Sequence, residues 1–357
     1  MKRSRILRVV ILVGAPVAGV AGVAFGAERM VASSSARAAR ENTSQSATSL
    51  RAQYRRPSAI PFPEDNPYSE SKARLGQTLF FDPRLSGSNW ISCATCHNPG
   101  FAWGDGLPRG IGHGMNALGR RTPTALNLSW APVLFWDGRA ESLEEQALGP
   151  MSAAAEMNQP LPELEKELDA IAGYKPLFQA AFGAPTITGK RVAQAIATYE
   201  RTLVSREAPF DRWVNGDESA LSPSARRGFA LFNGRAMCSK CHGGWRFTDD
   251  GFHDIGVASP DRGRGAILPD LDSVQFAFKT PTLRNIAARA PYMHDGSEGT
   301  LEQVVELYNR GGRVRRPSVA TEVHPLNLSA GDKADLIAFM QSLSSVDAPV
   351  DVPALPR

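Results

Sequence analysis

Four cysteines, arranged in two clusters of identical spacing, constrain this 357-residue chain more than any other feature. Each cluster has the pattern C-x-x-C-H. Their residues are Cys93, Cys96 and His97 in the first cluster and Cys238, Cys241 and His242 in the second. Two thiols at this spacing can add to the two vinyl groups of one haem, and the adjacent histidine can then reach the iron. Disulfides, redox pairs and zinc sites also use C-x-x-C, but they do not require the histidine. We therefore predict two covalently bound haem c groups, with the two histidines as proximal iron ligands.

Each haem motif is preceded by a copy of one short pattern, A-R-x-G-x-x-L-F. The copies occupy residues 73–80 and 225–232, and their apolar residues have the spacing of an amphipathic helix. A helix that leads into a haem-binding loop is therefore present twice, as an internal repeat. The repeat predicts two cytochrome-c-like haem domains.

The remaining sequence indicates helices joined by loops. Residues 162–178 and 190–203 have helical apolar spacing. Ser222, Thr300 and Ser329 each begin a pattern that is typical of a helix N-terminus. Gly and Pro are frequent, and no stretch alternates long enough to predict a sheet. The predicted fold class is mainly α, with long loops and little β structure.

A cluster of Pro, Asn, Gly and Asp between residues 209 and 222 marks the expected domain boundary. We predict an N-terminal haem domain over 58–212 and a C-terminal haem domain over 213–345. Residues 346–357 are expected to form a tail.

The N-terminus has the composition of an export signal. A basic stretch, 1–8, precedes an apolar run, 9–27, that ends in small residues. Residues 1–27 are therefore predicted to be a signal peptide, which would place the rest of the chain in the periplasm. An uncleaved leader that anchors the chain to the inner membrane is the alternative. Residues 28–57 are rich in Ser, Ala and Arg without an apolar period, which predicts a disordered tether.

The formal net charge of +4 comes from the leader alone. Its four cations are Lys2, Arg3, Arg5 and Arg8. The remaining chain is balanced in charge, so nothing in its composition predicts a nucleic-acid partner.

Several long blocks of sequence resemble the bacterial dihaem cytochrome c peroxidases and their relative MauG, which matures a tryptophan-derived cofactor in another protein. The resemblance extends from about residue 61 to residue 345. Its blocks are LFFDPRLSGSNWISCATCHNPG, GIGHG, RRTPTALN, LFWDGRAESLEEQALGP, EMN, TPTLRN and APYMHDG. The resemblance implies that the N-terminal haem reacts with hydrogen peroxide and that the C-terminal haem handles electrons.

The resemblance also implies roles for three residues at the first haem. His113, between two glycines, would be a sixth iron ligand that leaves on activation; a surface-loop histidine is the alternative. Glu156 would move the proton that splitting the O–O bond requires. Trp136 would lie between the haems and shorten the electron path. Arg139 could pair with a haem propionate or form a structural ion pair.

At the second haem the resemblance points towards MauG. Tyr308 matches the position where the peroxidases place a methionine ligand and MauG-like proteins a tyrosine. Met293 is the second candidate for this ligand. A tyrosinate favours Fe(III), whereas methionine raises the haem potential. The peroxidases also hold a calcium ion between their domains, but Arg121 places a cation where an oxygen ligand is expected, which makes calcium doubtful.

Three functions fit these features. The first, which we favour from sequence, is a periplasmic peroxidase that reduces hydrogen peroxide to water with electrons from a small donor protein, a cytochrome c or a cupredoxin. The second is a MauG-like oxidase that modifies side chains of a partner protein. The third is an electron-transfer cytochrome without catalysis, which Glu156 and the His113 loop argue against. Tyr308 favours the second function and His113 the first. A homodimer is an open alternative, because family members are often dimers but no interface patch is recognisable.

We predict that pyridine haemochrome analysis finds two haems per chain and that acid–acetone leaves both on the protein, because thioether bonds survive this extraction. Replacement of Cys238 or Cys241 should impair attachment of the second haem only. One haem per chain in the wild type would contradict the two-domain architecture.

Overall fold

The computed structural model describes residues 49–346 and 349–357, of which 53–357 belong to one compact unit. The predicted leader and most of the predicted tether lie outside the described residues. The fold is mainly α with little β structure, as predicted from the sequence. A two-residue strand β1, Phe252–His253, pairs antiparallel with β2, Phe278–Lys279. The α-helices of the compact unit are α1 Glu70–Phe80, α2 Cys93–Cys96, α3 Leu143–Ser152, α4 Leu161–Ala170, α5 Tyr174–Phe182, α6 Gly189–Thr202, α7 Pro209–Val214, α8 Pro223–Asn233, α9 Leu301–Arg310 and α10 Ala330–Gln341.

Two pairs of helices cross closely, one in each half of the chain. Helix α1 packs against α6, and α8 packs against α10. A glycine of the A-R-x-G pattern lies at each crossing. A Cβ atom on Gly76 would lie 1.9 Å from the carbonyl oxygen of Ala195, and one on Gly228 would lie 2.0 Å from that of Asp335. The repeated glycine therefore permits the contact between the helices.

The repeat continues beyond the haem motifs and includes the segments that follow them. Asn127 and Asn285 end two copies of T-P-T-x-x-N, and both have left-handed backbone angles, with φ of 62° and 56°. Each asparagine accepts a hydrogen bond on its side chain from a serine backbone N–H, at 3.1 Å for Ser205 and 3.0 Å for Ser345. The equivalent geometry shows that the two halves share one scaffold from the first helix to the last.

Each end of the compact unit packs against the opposite half of the chain. Tyr54 is buried against Phe210 and Phe229, which belong to the aromatic core of the C-terminal half. At the other end, the carbonyl oxygen of Pro356 accepts a hydrogen bond from Arg84, and that of Arg357 accepts one from Gly173. The tether predicted over 28–57 is therefore too long, because its last residues are packed. The division at residue 212 stays a prediction.

The predicted helix over 162–178 is two helices, α4 and α5. The chain turns at Ile171, whose backbone is extended. Leu164 and Leu168 in α4 and Tyr174 and Phe178 in α5 are all fully buried in one core. Because both helices bury the same side, the apolar spacing does not reveal the turn. The predicted N-termini at Ser222, Thr300 and Ser329 are confirmed: each hydroxyl accepts the backbone N–H three residues on.

Across the part of the chain that the structure describes, no helix combines the length and the apolar character needed to cross a membrane.

Gly228→Ala should lower the free energy of unfolding by about 1–3 kcal/mol, because the added methyl group overpacks the crossing of α8 with α10. Chemical denaturation of the haem-loaded protein would measure this. Gly331→Ala is the matched control on α10, since its Cβ would meet nothing nearer than 3.8 Å. Gly331→Ala should leave the free energy of unfolding unchanged or raise it slightly, because alanine has a higher helix propensity than glycine. Equal effects of the two substitutions would contradict the close crossing.

Candidate active site: two haem cavities and the residues between them

Both motif histidines are held in the orientation that iron ligation requires. His97 Nδ1 lies 3.2 Å from the carbonyl oxygen of Trp103, and His242 Nδ1 lies 2.9 Å from that of Phe247. Each carbonyl accepts the Nδ1 proton, so Nε2 keeps its lone pair for a metal. Trp103 and Phe247 have left-handed backbone angles, with φ of 63° and 57°, which turn their carbonyl groups towards the rings. Burial lowers the pKa of both histidines and keeps them neutral.

Each C-x-x-C-H motif lines its own cavity. The first cavity is bounded by the first motif and has a volume of about 570 Å³; the second has a volume of about 250 Å³. None of the four cysteines forms a disulfide, so each is available for a thioether bond to haem. Burial raises the pKa of Cys96 to about 11 and that of Cys238 to about 12. These two thiols are therefore protonated at neutral pH in the protein without haem.

Two buried arginines give an independent test of whether haem fits. Arg121 and Arg289 line the second cavity, and Arg121 also lines the first. Their guanidinium groups bond only to carbonyl oxygens among the described residues: Arg121 to that of Arg289 and Arg289 to that of Thr282, both at 2.5 Å. The Nε atom of each has no hydrogen-bond partner within residues 49–346 and 349–357. Burial, and then the charge of Arg121, lowers the pKa of Arg289 to about 9. Buried cations require anions, and haem propionates would supply them.

Trp136 lies in the wall of both cavities. Its Nε1 donates to the carbonyl oxygen of Arg121 at 2.8 Å, and its ring centre is 6.5 Å from that of His294. Two backbone hydrogen bonds frame this contact: Arg121 N donates to His294 O, and Lys279 N donates to Trp136 O, at 2.7 and 2.8 Å. Trp136 and His294 are equivalent positions of the repeat. The structure thus brings Trp136 between the two motifs; its role in electron transfer stays a prediction.

Glu156 lies in the wall of the first cavity, together with Gln146 and Pro150. Burial raises the pKa of Glu156, and the positive charge of Arg139 opposes this shift. Arg139 itself stacks 3.5 Å from the ring centre of Phe135 and pairs with Asp137 at 2.9 Å. The ion pair that was one of the two alternatives for Arg139 is therefore present. A carboxyl group at this place can both accept a proton and return it.

The side chain of His113 does not line the first cavity, although Gly112 does. Its backbone N–H donates to the carbonyl oxygens of Ala155 and Glu156 at 3.1 and 2.8 Å. Its Nε2 lies 3.3 Å from Asn158 Nδ2. The loop is thus anchored beside Glu156, with the imidazole outside the cavity wall.

Several residues with a possible iron-ligand atom line the second cavity, among them the two sequence-predicted candidates, Tyr308 and Met293. His253 and His294 also line it. His253 Nε2 bonds to Asp249 at 2.8 Å, and the His294 ring stacks on Phe278 with 3.6 Å between the ring centres. Tyr308 lies on α9, at the position that Pro150 occupies on the equivalent helix α3. Burial raises the pKa of Tyr308, so its phenol is neutral in the protein alone.

Comparison with known proteins identifies the family. A family model described as di-haem cytochrome c peroxidase matches residues 70–219. The methylamine utilization protein MauG of Methylorubrum extorquens is 50% identical over 327 residues, which cover 91% of this chain and 92% of that protein. This chain belongs to the dihaem cytochrome c peroxidase and MauG family. The cytochrome c551 peroxidase of Nitrosomonas europaea is 36% identical, with 80% of this chain and 88% of that protein covered.

A solved structure agrees with this membership. A MauG-like protein associated with microbial copper homeostasis superposes with a TM-score of 0.75 at 32% identity, covering 81% of this chain and 94% of that one. The chain is therefore an oxidoreductase of a family that carries two haems, as the sequence predicted.

Sequence reasoning missed three residues of the first and second cavities: Gln146, Arg289 and Glu200. The block T-P-T-x-x-N and the D-G pair that follows it occur in each half of the chain, and aligning the two halves on them could have indicated Gln146. Aligning these blocks pairs Gln146 with Val304, and both residues line a cavity. Arg289 and Glu200 have no such signal, because burial without a partner is visible only in the structure.

Glu156→Gln should still bind peroxide but split it more slowly, by a factor on the order of 10²–10⁴, because the amide cannot move the proton. Stopped-flow spectra after mixing with peroxide would separate binding from bond cleavage. Glu163→Gln, an exposed change on α4, is the control. Unchanged cleavage in Glu156→Gln would remove this carboxyl group from the reaction.

Proposed function

We propose that this enzyme is a MauG-like oxidase, which uses hydrogen peroxide at the first haem and takes electrons from side chains of a partner protein. The observation that carries the proposal is the position of Tyr308 in the wall of the second cavity. The peroxidase function that we favoured from sequence becomes the second candidate.

The contrast between Tyr308 and Pro150 supports different tasks for the two cavities. Proline offers no ligand atom and leaves the first cavity open for a small oxidant. Tyrosine offers a phenol oxygen at the equivalent place in the second cavity. A phenolate ligand favours Fe(III) and resists reduction, so the second haem would suit the loss of electrons better than their storage as Fe(II). Because burial holds the phenol neutral in the protein alone, the metal itself would have to displace the proton.

The position of His113 bears on the same choice. Its Nε2 lies 3.3 Å from Asn158 Nδ2, and its Nδ1 is buried without a hydrogen-bond partner among the described residues. If the imidazole stays off the iron in the haem-loaded protein, peroxide could enter without a preceding reduction, which would agree with a second haem that stays ferric.

The chain's own residues would divide the work at the first cavity. Bound haem would supply the redox chemistry. Glu156 would take a proton from one peroxide oxygen and return it to the other, while Trp136 would offer an oxidisable ring between the two sites. Arg121 and Arg289 would hold propionates and so fix the haems on either side of this ring.

The comparisons support this choice at the level of similarity. The MauG proteins of Methylorubrum extorquens and Methylophilus methylotrophus are 50% and 49% identical to this chain, whereas the cytochrome c peroxidases of the family are near 35%. A peroxidase fed by a small cytochrome c or cupredoxin is favoured by one feature, the glycine-flanked loop of His113. Location in the periplasm and dimer formation are parts of the proposal, and the leader that would direct export lies outside the described residues.

Tyr308→Met should raise the reduction potential of the second haem, because a thioether stabilises Fe(II) and a phenolate stabilises Fe(III). A spectroelectrochemical titration would show this, and ascorbate should leave the wild-type haem ferric. Tyr292→Phe is the control, since Tyr292 also lines this cavity but donates its hydroxyl to the carbonyl oxygen of Ile286. If wild type and Tyr308→Met titrate alike, Tyr308 is not the ligand and the MauG-like proposal fails.

A further inference from the structure

The repeat places a carboxyl group in the first cavity where the second cavity has a thioether. Gly76 contacts Ala195 and Tyr199 on α6, and Gly228 contacts Asp335 and Phe339 on α10 in the same manner. The residue after the aromatic ring is Glu200 in the first helix and Met340 in the second. Both side chains line their haem cavities. Since the scaffold accepts methionine at this position, packing does not require a glutamate.

Glu200 has no counter-ion among the described residues. It is 5% exposed, and no group in the part of the chain that the structure describes forms a hydrogen bond with its Oε2. The adjacent Arg201 is already neutralised, because its guanidinium donates two hydrogen bonds to Glu144, at 2.6 and 2.8 Å. An unpaired carboxylate buried in this way is costly, whereas a protonated carboxyl group is not.

The charges around Glu200 favour the protonated form at neutral pH. Burial raises its pKa to about 8, the positive charge of Arg201 opposes the shift, and the negative charge of Glu144 adds to it. The Cys93 thiol, which becomes a thioether when haem is attached, and the neutral Tyr199 phenol are the other titratable groups coupled to it. Lys72 of α1 lies one step away, bonded through Asn66 to Glu144.

We propose that Glu200 is a proton donor of the first cavity, a second carboxyl group that supplies a proton consumed when peroxide is reduced. The proposal rests on the proposed function, with peroxide as the oxidant. Reduction breaks the O–O bond and yields two waters, which takes up two electrons and two protons. The electrons come from the partner protein. Glu156 only moves a proton from one peroxide oxygen to the other, so it adds none in total. Glu200 gives one of the two protons, the second enters from solvent, and Glu200 is then reprotonated from solvent.

Two variants test this, and both keep the length of the side chain. Glu200→Gln removes the acidic proton, and Glu200→Met inserts the residue of the second cavity. Haem content and visible spectra are compared first, to show that each variant folds and binds haem. If Glu200→Gln does not fold, Glu200→Met still tests the proposal. Glu163→Gln, on the exposed side of α4, is the matched control.

The first measurement does not depend on turnover. The reduction potential of the first haem is titrated against pH in wild type and in each variant. Wild type should show a potential that falls as the pH rises above about 8, because reduction then draws a proton onto Glu200. The fall should be absent in both Glu200 variants and present in Glu163→Gln. A slope that persists in the Glu200 variants would overturn the proposal.

The second measurement is the pH profile of peroxide consumption. Wild type should lose rate as the pH rises through about 8. The Glu200 variants should be slower by about 10²-fold at neutral pH and should lack this alkaline decline. Wild-type rates in the variants would overturn the proposal. If the wild type consumes no peroxide, the proposed function and the role of Glu200 both fail. If the wild type consumes peroxide and the Glu200 variants keep both its rate and the slope of its potential with pH, only the role of Glu200 fails.

Discussion

Two reciprocal backbone hydrogen bonds, Arg121 N to His294 O and Lys279 N to Trp136 O, hold the two haem cavities against each other. The residues are equivalent positions of the repeat, so each half donates to the other in the same way. Trp136, whose carbonyl oxygen accepts one of these bonds, lies in the wall of both cavities. They also bury the cation of Arg121 at the contact, where it requires the negative charge that a haem propionate carries.

The two halves share this scaffold but carry different residues at a few equivalent positions, and these differences give the two haem cavities different chemistry. Pro150 offers the first cavity no ligand atom, whereas Tyr308 brings a phenol oxygen to the wall of the second. Glu200 brings an acidic proton to the first cavity, whereas Met340, at the equivalent position, gives the second cavity an apolar side chain. A repeat that binds the same cofactor twice thus has one site suited to a small oxidant and another suited to electron loss.

The sequence predicted the haem motifs, the mainly α fold and three helix N-termini, because thiol spacing and capping patterns are local. It could not predict the turn at Ile171, where two helices bury the same side, or the packing of Tyr54, which lies far along the chain from its aromatic partners. Glu156 and Trp136 were found through the family resemblance, whereas the unpaired state of Glu200 depends on contacts that the sequence pattern does not display.

The central claim is that the two haems have different axial environments: an open first site and a second site closed by Tyr308. Electron paramagnetic resonance of the fully ferric protein tests it directly. The account predicts one high-spin signal, from an iron with only His97 as a strong protein ligand, and one low-spin signal, from an iron with His242 and Tyr308. Two low-spin signals, with His113 bound at the first iron, would contradict it.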